Sequence, residues 1–478
     1  MILPTLKNRV VSMPIKKNTA STLLSTALLL IFIQIETSSL FAAEDESPNG
    51  PWRLNDALGI DRGFSLSGVQ RTRYESIADN VRPGTSANDQ VMAIRTILNA
   101  QYQNGSFSSQ LELVDARQEL ADRDSVLRNS TVNSLDVLQA NIGYTFGSEN
   151  PTNVRFGRFS EDWGSRRLMA RNRFRNTINS FDGAVVHHQG SNGSELRAMA
   201  TQVVRRLPTD FNSLLDNDRE SDESSDAQRF YGIHASYPNL FESFSSRIRS
   251  EFYLYSLREK DTSEVNTRNR KMETLGLRIR ATPTVNKFDF EIESVIQIGE
   301  RRSSTATSSL NDLDHEAFFH YLSLGYSFDV PSNLRLLFEF DYASGDSDPA
   351  DQDYERFDSL FGPTTFEFGV VGLYNPFNRS NLMTPGLRLT ADLHEDISLM
   401  ASYRHFWLAE EKDSWGRTGI RDTSGDSGNY LGQHLQLRVR WDVIPGNLRI
   451  ETGTIFLNAK NLSNKNTKYF YMGTTFTF

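Results

Sequence analysis

The chain has 478 residues, no cysteine and a formal charge of −9, with 38% hydrophobic residues and a mean hydropathy of −0.47. The missing thiols exclude disulfide, zinc–thiolate and cysteine-nucleophile chemistry. The low hydropathy argues against a bundle of membrane helices, and the acidic balance against a nucleic-acid protein, which would present a basic surface.

The N-terminus comes first. Lys7, Arg9, Lys16 and Lys17 precede an apolar run from about Ala20 to Ile35, and SSLFAAED follows. This pattern predicts a signal peptide over residues 1–43, cleaved near Ala43. The run is short for an anchor and is diluted by Ser, Thr and Gln. A short periplasmic segment, 44–60, would follow, and one barrel domain over 61–478. Without residues 1–43 the chain keeps 47 basic and 59 acidic residues.

Beyond residue 60 the apolar period is two, the mark of half-buried strands. In FDFEIESVIQI, Phe288, Phe290, Ile292, Ile296 and Ile298 alternate with Asp289, Glu291, Glu293 and Gln297. LRLLFEFDY (334–342) and LGQHLQLRVRW (431–441) alternate in the same way. These segments are about ten residues long, the length with which a tilted strand crosses a bilayer. Eighteen are predicted, the first beginning near Phe64 and the last near Lys468. Their connections alternate short and long. Turns such as NGS (104–106), HED (394–396) and VIPGN (443–447) alternate with long polar stretches such as 205–229, 343–380 and 409–429. The expected fold is therefore all-β: a transmembrane antiparallel barrel with short periplasmic turns and long extracellular loops. The last strand, YFYMGTTFTF, ends on Phe478 and is similar to the C-terminal strand by which outer-membrane barrels are recognised for insertion. The expected location is the bacterial outer membrane.

Strand phase then assigns the lumen. A lipid-facing arginine at mid-membrane costs about 2–4 kcal/mol, so strand charges should point inward. Fifteen strand arginines and nine strand acids are in the inward phase, which makes the lumen net positive in a net-negative protein. The excess is arginine, with 41 Arg against 10 Lys. Its planar fork binds carboxylates and keeps its charge. Inner-wall Arg–acid ladders that merely brace the barrel are the competing reading for about half of them, because ion pairs hold wide barrels together. Between Gly157 and Gly183 lies GRFSEDWGSRRLMARNRFRNTINSFDG, with six arginines and no lysine. It is too polar to be a strand throughout, and is expected as a loop that turns into the mouth or channel.

That segment resembles the signature of the alginate-export outer-membrane family: Gly157-Arg158, Gly164 to Leu168, Arg175-Asn176-Thr177 and Phe181-Asp182-Gly183. DYASGDSDPADQDYERFDSLF (341–361) and YLGQHLQLRVRWDVIPGNLRIETGTIFL (430–457) are similar to the same family. The resemblance covers about residues 60–478 and implies an eighteen-stranded barrel exporting an anionic exopolysaccharide through an arginine-rich pore. Phe174 stands where the family usually has an aromatic before Arg-Asn-Thr. The short VIPGN turn leaves no long periplasmic turn near the C-terminus to plug the pore.

The expected function is passive export of an alginate-like polyuronate. The expected pore lining is Arg95, Arg155, Arg158, Arg166, Arg167, Arg171, Arg173, Arg175, Asp182, Arg335, Arg388, Arg438 and Arg440. Replacing Arg166, Arg167 and Arg171 with Ala is expected to lower anion selectivity without preventing assembly. A general or uptake porin for small anions or oligosaccharides is the alternative. An outer-membrane enzyme or adhesin is the third reading. Eight scattered histidines, among them His187, His188, His405 and His434, show no nucleophile spacing, so no enzyme is expected. No cofactor is expected. Asp346, Asp348 and Asp351 are weak metal candidates beside the reading of a solvated acidic loop. The expected partners are the polysaccharide, outer-membrane lipid and lipopolysaccharide, and periplasmic export components. The protein is expected to be a monomer. Tyr102, Tyr144, Phe146, Tyr326, Phe328 and Trp441 are expected in an interfacial girdle.

Overall fold

A computed structural model describes residues 51–60, 63–238, 240, 248–306, 308–364, 367–370 and 372–478. The expected signal peptide, residues 44–50 and Arg247, expected at the start of a strand, lie outside them. Of the expected periplasmic segment, Leu54–Leu58 form one short helix, α1.

The strands are β1 (Phe64–Ala78), β2 (Asp89–Asn104), β3 (Phe107–Glu119), β4 (Asn133–Phe146), β5 (Thr152–Phe159) and β6 (Phe181–Gln189). Then come β7 (Glu195–Arg205), β8 (Glu223–Pro238), β9 (Ile248–Glu259), β10 (Lys271–Ala281), β11 (Phe288–Arg302) and β12 (Asp312–Ser327). The last six are β13 (Arg335–Ala343), β14 (Leu382–His394), β15 (Ile397–Trp407), β16 (Tyr430–Ile444), β17 (Leu448–Ala459) and β18 (Asn466–Thr477). Each pairs antiparallel with the next, and β18 returns to β1 from Val69↔Thr477 to Ala78↔Lys468. Closure leaves no row of unpaired backbone groups for lipid to desolvate. The extra bridge Asp353–Tyr354 runs parallel to β12. The shortest turns lie at one end and the longest loops, 160–180, 206–222, 344–381 and 408–429, at the other.

Period-two alternation becomes two faces. In β12, Phe318, Leu322 and Leu324 are exposed outward, whereas Phe319, Tyr321 and Ser323 are buried inward. The outward band is apolar around the barrel, as lipid requires. Near the short-turn end aromatic rings gather: Tyr144 with Phe146 at 4.8 Å, Tyr326 with Phe328 and with Phe288 at 4.9 Å. Tyr102, Phe146 and Trp441 are exposed there too. These rings form the periplasmic girdle.

The interior is where the fold departs from a simple tube. Two extracellular connections, 160–180 and 344–381, fold inward and bury much of their length. Phe368, Val370, Leu373, Tyr374 and Phe377 of the second pack against Phe406, Leu431, Ile455, Tyr469 and Tyr471 of the wall. Trp163, Leu168 and Met169 of the first pack against Tyr253, Tyr255, Phe319 and Tyr321. The β16–β17 turn is short, as expected, but the lumen is narrowed from the opposite side.

Candidate functional site: the arginine-rich lumen

The family-like signature is a structural device at its two ends. Gly157 faces Gly183 across β5 and β6, Arg158 faces Asp182, and Phe159 faces Phe181. Gly157 has φ +121°, and a Cβ on either glycine would collide with a neighbouring strand's carbonyl oxygen, Ala140 or Ala200. Arg158 holds Asp182 bidentately at 2.8 and 3.0 Å. The Gly-Arg and Phe-Asp-Gly elements are thus register partners at the base of the inward loop.

Between them the loop crosses the lumen. Arg167 reaches β11, pairing with Glu293 at 2.7 Å, with Glu291, and with Glu367 of the second inward segment at 3.1 Å. Its guanidinium also lies 3.6 Å from the Tyr321 ring centroid. The chain then returns to the opposite wall. Asn176 donates to the carbonyls of Ile94, Arg117 and Thr131 at 2.9–3.1 Å. Arg71 donates to the carbonyls of Arg173 and Arg175, both at 2.8 Å, Arg95 to the same two at 3.2 and 2.9 Å, and Arg73 to that of Phe174 at 2.6 Å. A buried irregular backbone needs partners for its carbonyls. Three wall arginines supply them here.

The second segment locks onto the first. Phe361 N–H donates to the Leu168 carbonyl at 2.9 Å, and Asn179 donates to the Phe361 carbonyl at 3.0 Å. Glu367 also pairs with Arg379. Leu373 N–H donates to Glu75 of β1 at 2.8 Å, and Tyr374 meets His434 of β16 at 3.1 Å.

Charge is sorted by wall. Along β9 to β15 arginines and acids neutralise one another: Arg278 with Glu251 and Glu291 at 2.9 and 3.0 Å, Arg404 with Glu339 and Asp341 at 3.2 and 2.9 Å. Two cavities remain. A periplasmic one of about 710 Å³ is bordered by eight arginines (Arg71, Arg73, Arg166, Arg173, Arg388, Arg438, Arg440, Arg449) and five acids. An extracellular one of about 500 Å³ is bordered by six arginines and a single acid, Glu259. Both reach Asn172 and Pro363, where the two inward segments meet.

The thirteen residues expected to line the pore divide accordingly. Arg166, Arg173, Arg388, Arg438 and Arg440 border the periplasmic cavity, and Arg175 the extracellular one. Arg95, Arg155, Arg158, Arg167, Arg171, Asp182 and Arg335 border neither. Each of these seven has a partner: Arg155 holds Glu161, Arg171 holds Glu112 at 3.0 Å, and Arg335 holds Asp289. Arg205, Arg206, Arg268, Arg270 and Arg417 of the extracellular cavity were not singled out by strand phase, because all but Arg205, a strand's last residue, lie in loops. The sequence signal for the second inward segment is FEFGVVGLYNPF (366–377), too aromatic for a solvated loop.

The metal candidates do not converge. Asp346 is buried and its backbone N–H donates to the Asp413 carboxylate, while the carboxylates of Asp348 and Asp351 accept the N–H groups of Ala350 and Asp353. Among the described residues the grouping of three His, Asp or Glu with ligand atoms within 4.8 Å is His394, Glu395 and Asp396, on the exposed β14–β15 turn. His187, His188, His405 and His434 face Glu195, Thr152, Tyr430 and Tyr374, respectively.

The sequence model of one family, described as alginate export, matches residues 64–456. The chain belongs to the alginate export family. Solved structures similar to this family member are Pseudomonas aeruginosa OccK8 (OprE), the outer membrane protein opdK of Pseudomonas aeruginosa, and Acinetobacter baumannii OccAB1. OccK8 has a TM-score of 0.57 and 12% identity over 87% of this chain and 98% of its own. OpdK has 0.56 and 11% over 87% and 99%, and OccAB1 has 0.57 and 12% over 91% and 99%. A comparison with the curated proteins finds no match. Family and neighbours make this protein an outer-membrane β-barrel of the porin type and point to a channel rather than an enzyme.

Proposed function

We propose that this family member is a passive outer-membrane channel that exports an anionic polysaccharide of the polyuronate type through its arginine-bordered lumen. The observation that carries the reading is the lining of the two cavities: eight arginines against five acids on the periplasmic side and six against one on the extracellular side. Guanidinium forks match carboxylates, and an enclosed low-dielectric passage concentrates anions. Arg440 and Arg449 are held by Glu451 and Asp442, and Arg438 of the same wall makes no ion pair among the described residues. Contacts of graded strength let a polymer advance without being trapped.

The interlocked inward segments favour a second reading, uptake of small anions or oligouronates, since they narrow the lumen at Asn172 and Pro363. One similar structure, OccK2 (OpdF) of Pseudomonas aeruginosa at TM-score 0.53 and 12% identity, is titled as a complex with glucuronate. Proteoliposomes loaded with fluorescent polyuronate, neutral dextran or free glucuronate separate the readings. Polymer export predicts escape of the polyuronate with dextran retained. Release of glucuronate alone supports small-anion uptake and contradicts polymer export.

A further inference from the structure

The extracellular cavity combines three features. It is bordered by loops from seven parts of the chain and has about 500 Å³ of space, within the range of roughly 300–1,000 Å³ typical of small-ligand sites. Its charges are uncompensated. Of its six arginines only Arg270 is neutralised, by Glu259 at 2.6 Å and by Asp358 at 2.6 Å. Arg175 and Arg206 donate to a neutral acceptor, Asn179 Oδ1, at 2.5 and 2.9 Å, and the Nε of Arg175 is buried without a partner. Arg205, Arg268 and Arg417 form no ion pair or side-chain hydrogen bond among the described residues. The rest of the lining is amide and hydroxyl: Asn129, Asn266, Gln228, Thr209, Ser225 and Thr267.

Guanidiniums gathered together with few acids repel one another, although Arg268 and Arg417 keep exposed surface. Burial first, then Arg206 and Arg417, holds Arg175 well below the usual arginine range. Burial and the neighbouring Arg128 bring Arg417 down to about 10, so it remains charged at neutral pH. An anion entering the cavity relieves this repulsion. A single carboxylate offsets one charge, whereas a chain with a carboxylate on each sugar offsets several. The surrounding amides and hydroxyls suit sugar hydroxyls.

We infer that this cavity is a binding station for oligouronate segments: it holds at least two consecutive carboxylates on Arg205, Arg268 and Arg417, at the extracellular end of the channel. The inference rests on the anion-channel function proposed above and adds a saturable site to it. The periplasmic cavity, where acids are mixed with arginines, lacks this imbalance.

Single-channel recording tests the station with tetragalacturonate and galacturonate as probes, added to each side in turn. The expected result is reversible block by tetragalacturonate from the loop side, at least tenfold stronger than by the monomer and weakening steeply as KCl is raised. In R205Q/R268Q/R417Q the tetramer's blocking concentration should rise at least tenfold. Among the described residues these side chains hold no ion pair or hydrogen bond, so the folded barrel, read by its heat-modifiable gel mobility, should persist, and R205K/R268K/R417K should recover most of the block. Unchanged block in the Gln variant overturns the station, as does equal block by monomer and tetramer. An anion-selective channel that tetragalacturonate never blocks refutes the station alone, whereas a cation-selective channel refutes the proposed function itself.

Discussion

Arg167 and Arg438 show how two arginines in one lumen do different work. Arg167 is buried among Glu291, Glu293 and Glu367 and ties both inward segments to β11. Removing one partner of a buried ion pair leaves unpaired charge, which typically costs about 3–5 kcal/mol. Arg167→Met should therefore lower the temperature at which the folded gel band disappears. Arg438 lies half-buried on the periplasmic cavity wall, and Arg438→Met should leave that temperature unchanged while reducing anion preference. The sequence-based expectation that Arg166, Arg167 and Arg171 can be exchanged together without harming assembly does not survive this geometry. Arg171 braces Glu112, and Arg167 braces three acids. A stretch of sequence shows how many arginines a loop has. Arg171 and Arg167 meet acids 59 to 200 positions away, which no local pattern encodes.

The strands were legible because lipid on one side and a polar lumen on the other enforce strict alternation. All eighteen predicted segments coincide with strands, and the short turns fall where Pro, Gly and Asn cluster. The inward loops were only half legible. The arginines of 160–180 hinted that it enters the channel, but 344–381 reads from its acidic start as a solvated loop. Its aromatic second half is buried by a wall that lies mostly later in the chain, β15 to β18. The loop 206–222 offers a pH test of such docking. Asp222 at its end accepts from Leu207 N–H at 2.9 Å and from Asn133 at 2.8 Å, and burial together with Asp136 raises its carboxyl to about 6. The unfolded value is about 3.9, so the folded loop binds the proton more tightly. That stabilisation is complete below about pH 4 and is lost as pH rises through about 6. Proteolysis within 206–222 should be slower at pH 5 than at pH 7.5. Asp222→Asn should flatten the difference, and equal rates in the unaltered protein would contradict the assignment.

At the scale of the whole molecule, the acidic chain and the basic lumen are reconciled by position. A closed barrel lets the wall carry charge inward while lipid sees only the apolar band. Part of that inward charge is paired within the wall, part holds the inward segments across the lumen, and part borders two cavities that meet at Asn172 and Pro363. On the proposed function the uncompensated arginines set the permeating ion. The zero-current potential of the purified barrel in a planar bilayer, under a tenfold KCl gradient, measures this directly. The expected sign is that of chloride selectivity, with a shift toward zero in Arg438→Met. A potential of the potassium-selective sign would contradict it.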